Sequence, residues 1–356
     1  MSGNKRVTPD TGGFIHTPGL RIMSWNVAGA KYLMEPHNVR TVYQATVNRV
    51  LANLAKRFRP HFITLQEIVR YSAAGGPVQD LIQPPEGYYY HPSIAIDTRN
   101  HTHPRKWEKF RAIGGWQPQD YLGQGSGVLW LKNIAHASLW NADPPRTGAD
   151  ISIEDVHIDT GLYTGDRDTE PRLVPVAHFV MPLSCGESGA QEGVIDVLLA
   201  NIHLTTLRGE REGARGRDEE GSATRGAQLD IVFHGIVSRY NRWRRRVPQR
   251  GRPPVWFIAG DFNCTPGSRE IAQIQANHFI DVTPCKGHGT KGHSLHQVNA
   301  CIAVDHIFAG PYPSALQTVF ALEQVAALEP IRNPVSDHLA VVAHLPLRQG
   351  MYWASA

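Results

Sequence analysis

Apolar positions recur along this chain in two distinct periods. Val39, Val42, Tyr43, Val47, Val50, Leu51, Leu54 and Phe58 fall on one face of a 3.6-residue repeat with basic residues between them. This spacing predicts a helix over 39–58, which Pro60 closes. A second helix is expected over Ser222–Arg246, with Ser222 as its N-cap and basic residues in its last turns, and a short one over Ser268–Gln275. The other apolar runs are short and β-rich: 20–27, 61–67, 88–96, 126–132, 171–182, 194–204, 255–263, 303–309 and 336–345. Strands alternating with two long helices predict an α/β layered fold, a sheet core with helices packed outside.

The strands share a habit of ending on polar residues. Asn26, Glu67, His203, Asp261, Asn263, Asp305, Asp337 and His338 all lie at or beside a predicted strand terminus. The clearest case is VWFIAGDFNCTP at 255–266, an apolar run that stops at Gly260 and presents Asp261 and Asn263. Period-two geometry turns those two to one side and Phe262 to the core. The glycine lets the backbone bend or something approach it closely. An Asx turn ending a strand is the plain alternative. As a set, the eight offer hard oxygen donors, two imidazoles and carboxamides. Without a cysteine–histidine pattern they suit Mg²⁺ or Mn²⁺ rather than zinc. Magnesium held by carboxylates does phosphoryl transfer or phosphodiester hydrolysis.

Composition narrows this little. The chain has 356 residues, 41% hydrophobic and 19% charged, which is globular and reads as a single domain over 20–347. Residues 1–19 are expected to be a loose arm and 348–356 a tail. A formal charge of +4 permits a polyanionic partner without demanding one. No stretch approaches the roughly 18 apolar residues of a membrane span, and 1–19 lacks a signal-peptide core. A cytoplasmic monomer without stable membrane insertion is expected. Cys185, Cys264, Cys285 and Cys301 lack CxxC spacing and read as free thiols. Residues 99–124 and 208–221 read as loops.

SWNV at 24–27, LQE at 65–67, NIHL at 201–204, GDFNCTP at 260–266, VDHIF at 304–308 and SDH at 336–338 occur in that order. The series resembles the endonuclease/exonuclease/phosphatase superfamily, and the resemblance covers about Leu20 to Leu345. It implies a four-layer α/β sandwich, two packed mixed β-sheets flanked by helices, with the site at one rim. It further implies Glu67 as the principal metal ligand, with Asn26 beside it and Asp337 a further ligand. Asp261 would orient or deprotonate the attacking water, and Asn263 would hydrogen-bond the phosphorus centre. His338, held by Asp305, would contact the phosphate or stabilise its charge. His203 would contact the scissile phosphate or act as general acid, as in the deoxyribonuclease, sphingomyelinase and deadenylase branches.

Two departures argue against the abasic-site endonuclease branch. Ala28 stands where those enzymes carry an aspartate, and Gly125 precedes Ser126 where they carry a tyrosine. An Mg²⁺-dependent nuclease acting on DNA or RNA is the expected function. A phosphoesterase of lipid headgroups or inositol phosphates is the rival, and a non-catalytic binding protein the third. The arginine run 239–252 resembles a nucleic-acid patch. It enters the 255 strand from its far end, roughly 20 Å from the site. The His/Cys loop 285–301 has x₂ spacings resembling zinc ligands but no clean finger pattern, and reads as a substrate-facing loop.

Overall fold

The computed structural model describes residues 18–29, 37–99, 107–108, 111–112, 114–132, 136–137, 153–158, 172–185, 191–206, 219–238, 240–241, 255–283, 290–291, 302–311, 313–327 and 335–353. The arginine run, apart from Tyr240 and Asn241, lies outside them, as do the 285–301 loop except Thr290 and Lys291, and the loop 208–218.

Fifteen strands among these residues form two mixed sheets. The first contains β1 (Gly19–Asn26), β2 (Phe62–Ser72), β3 (Gln79–Asp80), β4 (Tyr88–Asp97) and β5 (Tyr121–Leu131), with β13 (Ala326–Ala327) and β14 (Val341–Pro346). The second contains β6 (His136–Ala137), β7 (Ile153–His157), β8 (Leu173–Cys185) and β9 (Gln191–His203). It is completed by β10 (Val255–Asp261), β11 (Ile280–Asp281), β12 (Asp305–Gly310) and β15 (Met351–Trp353). Helix α1 (His37–Phe58) covers one outer face; α2 (Glu219–Asp230), which continues as a π-helix over Ile231–Val237, and α3 (Arg269–Ala276) cover the other.

Strand alternation sorts side chains into these layers. In β1, Leu20 and Ile22 pack between the sheets, whereas Met23 and Trp25 turn to the α1 side with Leu51, Leu54 and Phe58. In β10, Val255, Phe257 and Ala259 face the other sheet, and Trp256 and Ile258 lie under the π-helix. The result is the four-layer α/β sandwich.

Topology brings the polar strand ends to one rim. In each sheet a central strand has one parallel and one antiparallel neighbour. β1 pairs β2 in parallel and β14 antiparallel; β10 pairs β9 in parallel and β12 antiparallel. Parallel neighbours end together, so Asn26, Glu67, His203 and Asp261 share an edge. Antiparallel neighbours begin there, which adds Asp305 at the start of β12 and the 336–338 segment before β14.

Several expectations need correction. Ser222 lies inside α2, which starts at Glu219, and caps nothing; Ser268 does cap α3, accepting from the Ile271 N–H at 3.3 Å. The segment 336–340 makes only isolated bridges, because its backbone is committed to the site, and regular pairing begins at Val341. The stretch 99–124 is not all loop. Trp107 and Trp116 are buried with Val69, Leu81, Ile96 and Leu122, and β5 already begins at Tyr121. The expected tail contributes β15, which pairs with β8 at the sheet edge. No helix among the described residues is long and apolar enough to cross a membrane.

Candidate active site

Three strands set three functional residues abreast. In the ladder Asp261 lies opposite His203 on one side and Asp305 on the other. The same sheet face therefore carries an imidazole and two carboxylates in adjacent positions. His203 Nε2 is 3.8 Å and His338 Nε2 is 3.7 Å from Asp261 Oδ2. His338 Nδ1 lies 3.0 and 3.2 Å from the two oxygens of Asp305. Its backbone is fixed as well: its N–H donates to Ser336 Oγ, whose hydroxyl donates to the Asn26 carbonyl, and its carbonyl accepts from the Trp25 indole.

Gly260 is required where β10 reaches the rim. A Cβ there would meet the Ile202 carbonyl oxygen at 1.8 Å, and Gly260 adopts φ +153°, so close approach of β9 and the backbone conformation both call for the glycine. The Asx geometry is present too. The Asn263 N–H donates to Asp261 Oδ1 at 2.9 Å, and Asn263 adopts φ +49°. Asn263 Nδ2 donates to the Leu204 carbonyl at 2.9 Å, which leaves its buried Oδ1 with no hydrogen-bond partner.

The other sheet supplies Asn26 and Glu67. A bulge between Gln66 and Ile68 places Glu67 outside the β2–β5 ladder, at φ +57°. Ala28 also has positive φ, at +55°. Three of the five non-glycine residues with positive φ among the described residues are thus at this rim, where each costs about 1–3 kcal/mol. Surrounding structure must hold them. Asn26 Nδ2 donates to Glu67 Oε1 at 3.2 Å and to Asp261 Oδ2 at 3.0 Å, joining the two sheets, while its Oδ1 accepts from the Ala28 N–H. Asp337 is buried between Ser336 and His338.

Charge is tuned by this packing. For His338, burial works to lower the pKa and is the largest influence. The carboxylates of Asp305 and Asp261 and the hydrogen bond to Asp305 outweigh it, and the imidazole is pushed up to about 9. Asp261 is raised above the usual carboxylate range, mainly by burial, with His338 opposing and Asp305 adding to the shift. Asp261, Asp305 and His338 lie close enough to hold an ion together. A charged imidazolium hydrogen-bonded to Asp305 has no lone pair to give, so these three read as a carboxylate–histidine pair beside a base. Glu67 and Asn26, joined through the Asn26 amide, form the harder donor set, which fits a hydrated Mg²⁺ or Mn²⁺.

Sequence reasoning missed four participants. Arg172 is buried, with Nη1 at 3.1 and 3.4 Å from the two ring nitrogens of His203, so its cationic end packs against the imidazole. It was findable: β8 runs antiparallel to β9, so its first residues flank the last of β9. Arg172 and His203 line a cleft with Ala95, Gln124, Gly125 and Ser126. Asn201 stitches the sheets below the rim. Its Nδ2 donates to the carbonyls of Leu65 and Gly127, and its Oδ1 accepts from Gln66 Nε2 at 2.7 Å. Thr290 and Lys291 pack beside β12 and His338. Nothing local in the sequence distinguishes Thr290 and Lys291, whereas Asn201 opens the NIHL motif at 201–204.

Comparison with known proteins places the arrangement. The profile described as Endonuclease/Exonuclease/phosphatase family matches residues 23–338. No curated protein sequence matches. Among solved structures, the mannosyl-6-phosphatase Bt3783 of Bacteroides thetaiotaomicron is 14% identical with a TM-score of 0.50, covering 92% of this chain and 99% of its own. An endonuclease/exonuclease/phosphatase family protein from the same organism is 13% identical with a TM-score of 0.50, covering 95% and 96%. A humanized D. rerio TDP2 is 15% identical with a TM-score of 0.49, covering 92% and 98%. At such identities the likeness is one of fold.

Proposed function

This chain belongs to the endonuclease/exonuclease/phosphatase family, and from that premise we propose that it hydrolyses phosphodiester bonds of nucleic acid with a divalent cation, Mg²⁺ or Mn²⁺. The observation that carries the reading is the convergence on one rim of a hard-oxygen set and a charged imidazole. Asn26 links Glu67 to Asp261, and Asp305 holds His338 within 3.7 Å of the same Asp261 oxygen. Glu67 and Asn26, with Asp337 as a further candidate, would hold the cation. When bound, it neutralises a non-bridging phosphate oxygen and orients the substrate.

The chain's own groups supply the rest. Asp261, made more basic by burial, accepts a proton from the attacking water. Asn263 keeps its carbonyl oxygen free to accept from that water, while one N–H is spent on Leu204. His338 stays positive at neutral pH and opposes the charge growing on phosphorus, with a proton available to the leaving oxygen. His203 has the Arg172 guanidinium against its ring and the Asp261 carboxylate at 3.8 Å, which suits it to contact the phosphate.

The cleft beside Arg172 and His203 favours a second reading. It sets one buried cation, Arg172, beside His203, where a phosphate group would find a counter-charge, so an inositol phosphate or a lipid headgroup is the alternative substrate. Purified protein is incubated with plasmid, single-stranded DNA, RNA, an inositol phosphate and sphingomyelin, with Mg²⁺ or EDTA, and Asn263→Ala as blank. Cation-dependent cleavage of a nucleic acid is expected. Turnover of only the small phosphoesters establishes the second reading instead.

A further inference from the structure

Thr290 and Lys291 form a short strip between the segment leading into β12 and the segment carrying His338. The N–H groups of both residues donate to the Ile302 carbonyl, at 2.7 and 2.9 Å. The Thr290 carbonyl accepts from the Leu339 N–H at 2.7 Å, and Lys291 bridges antiparallel to His338. The Thr290 side chain is fully buried, and its hydroxyl oxygen accepts from two consecutive backbone N–H groups, Val304 at 3.0 Å and Asp305 at 3.1 Å.

We propose that Thr290 is a positioning residue for the Asp305–His338 pair, holding both partners from one buried point. Its hydroxyl fixes the backbone of Asp305, and its carbonyl fixes the residue after His338. The pair itself is made of contacts of 3.0 and 3.2 Å between Nδ1 and the carboxylate, which a small backbone shift on either side would open. Asp305 needs such an anchor because it sits opposite Asp261 in the ladder, and the two buried carboxylates repel. The hydroxyl cannot be replaced by shape alone. Valine fills the same volume but leaves two buried N–H groups without an acceptor, so the turn into β12 must move to find others. The same strip carries the Lys291 ammonium into the field of Asp261 and His338.

The inference rests on the phosphodiesterase reading for its consequence but not for its geometry, and the test separates the two. Thr290→Val, Thr290→Ser and His338→Gln are made in the full chain. In imidazole ¹⁵N spectra, the downfield Nδ1–H signal that His338→Gln removes is expected to survive in Thr290→Ser and to shift or broaden in Thr290→Val. With bis(4-nitrophenyl) phosphate and Mg²⁺, Thr290→Val is expected to lower kcat about 10- to 100-fold at nearly constant KM. Thr290→Ser should restore it, and Thr290→Val should add no further loss in the His338→Gln background. An unchanged Nδ1–H signal in Thr290→Val overturns the proposal whatever the activity. A wild-type protein that hydrolyses no phosphoester overturns the functional reading, while the spectra still decide the positioning role. Should Thr290→Val fail to fold, Thr290→Ala makes the same comparison.

Discussion

Asn26 Nδ2 donates to Asp261 Oδ2 at 3.0 Å, across the interface of two different sheets. Both side chains are buried, and the same amide also reaches Glu67. The proposed base and the proposed cation ligand are therefore mechanically coupled, although Glu67 and Asp261 lie 194 positions apart along the chain.

Asp261→Asn tests the base. The amide oxygen can accept from Asn26 or from the Asn263 N–H but not from both, so the fold should persist with a modestly lowered melting temperature. Loss of the proton acceptor is expected to lower kcat by about 10²- to 10⁴-fold with KM changed little. Steady-state rates on the substrate identified in the panel screen check this. Wild-type kcat in the variant would place the base elsewhere.

Asp305→Asn and His338→Gln should each reduce kcat, and the double variant should be no worse than the more damaged single one, because the pair acts as a unit. The pH profile carries a sign. His338 is raised above its ordinary 6.5 to about 9, so its charged form persists through neutrality. Its contribution to both activity and stability is full below 6.5 and is lost as pH rises through about 9. An alkaline limb in the wild type that is missing in His338→Gln is the expected result.

Arg172→Lys should raise KM more than it lowers kcat. Lysine keeps the charge but loses the guanidinium nitrogen held against His203. A loss in kcat/KM of about 10-fold or more matches a charged hydrogen bond worth about 1.5–3 kcal/mol. A kcat-only effect would assign Arg172 to the chemical step rather than to substrate binding.

His61 provides a stability test away from the site. It is buried and accepts from the Arg21 N–H at 3.1 Å. Burial first, then the charges of Arg21, His344 and Arg59, hold its pKa well below 6.5. Below pH 6.5 the unfolded chain takes up a proton that the native imidazole refuses, so stability falls as pH drops. Urea midpoints at pH 7.5 and 5.5 should show a loss of up to about 1.4 kcal/mol per pH unit from this group. His61→Asn should flatten the slope. An equal slope in the variant would place the acid sensitivity in other groups.

Much of the architecture was legible because local pattern and tertiary role agree. From Val47 to Phe58 the 3.6-residue repeat of α1, like the alternation in β1 and β10, follows the burial pattern, since one face of each element must leave water, whereas Val42 on the same predicted face is exposed. Elements whose context overrides pattern were harder. Trp107 and Trp116 sit in a polar stretch, and only their packing against Val69 and Leu122 makes them core. The 336–339 segment reads as strand but spends its hydrogen bonds on the Asn26 carbonyl, the Trp25 indole and the Thr290 carbonyl rather than on a ladder.

The sequence by itself determined that polar residues end the central strands, and which chemistry such residues suit. Strand ends are local: an apolar run stops, and a carboxylate or amide follows. Which ends meet was decided by the sheets. Parallel pairing of β1 with β2 and of β9 with β10 aligns their termini, and packing face to face brings Asn26 to Asp261. The partners that tune the site belong wholly to tertiary structure. Arg172 and Thr290 carry no local signal, and the NIHL motif does not reveal what Asn201 does, because these roles depend on backbone groups and rings supplied by other strands. A hydrogen bond depends on where its two ends lie in space, and sequence spacing does not encode that for residues on different sheets.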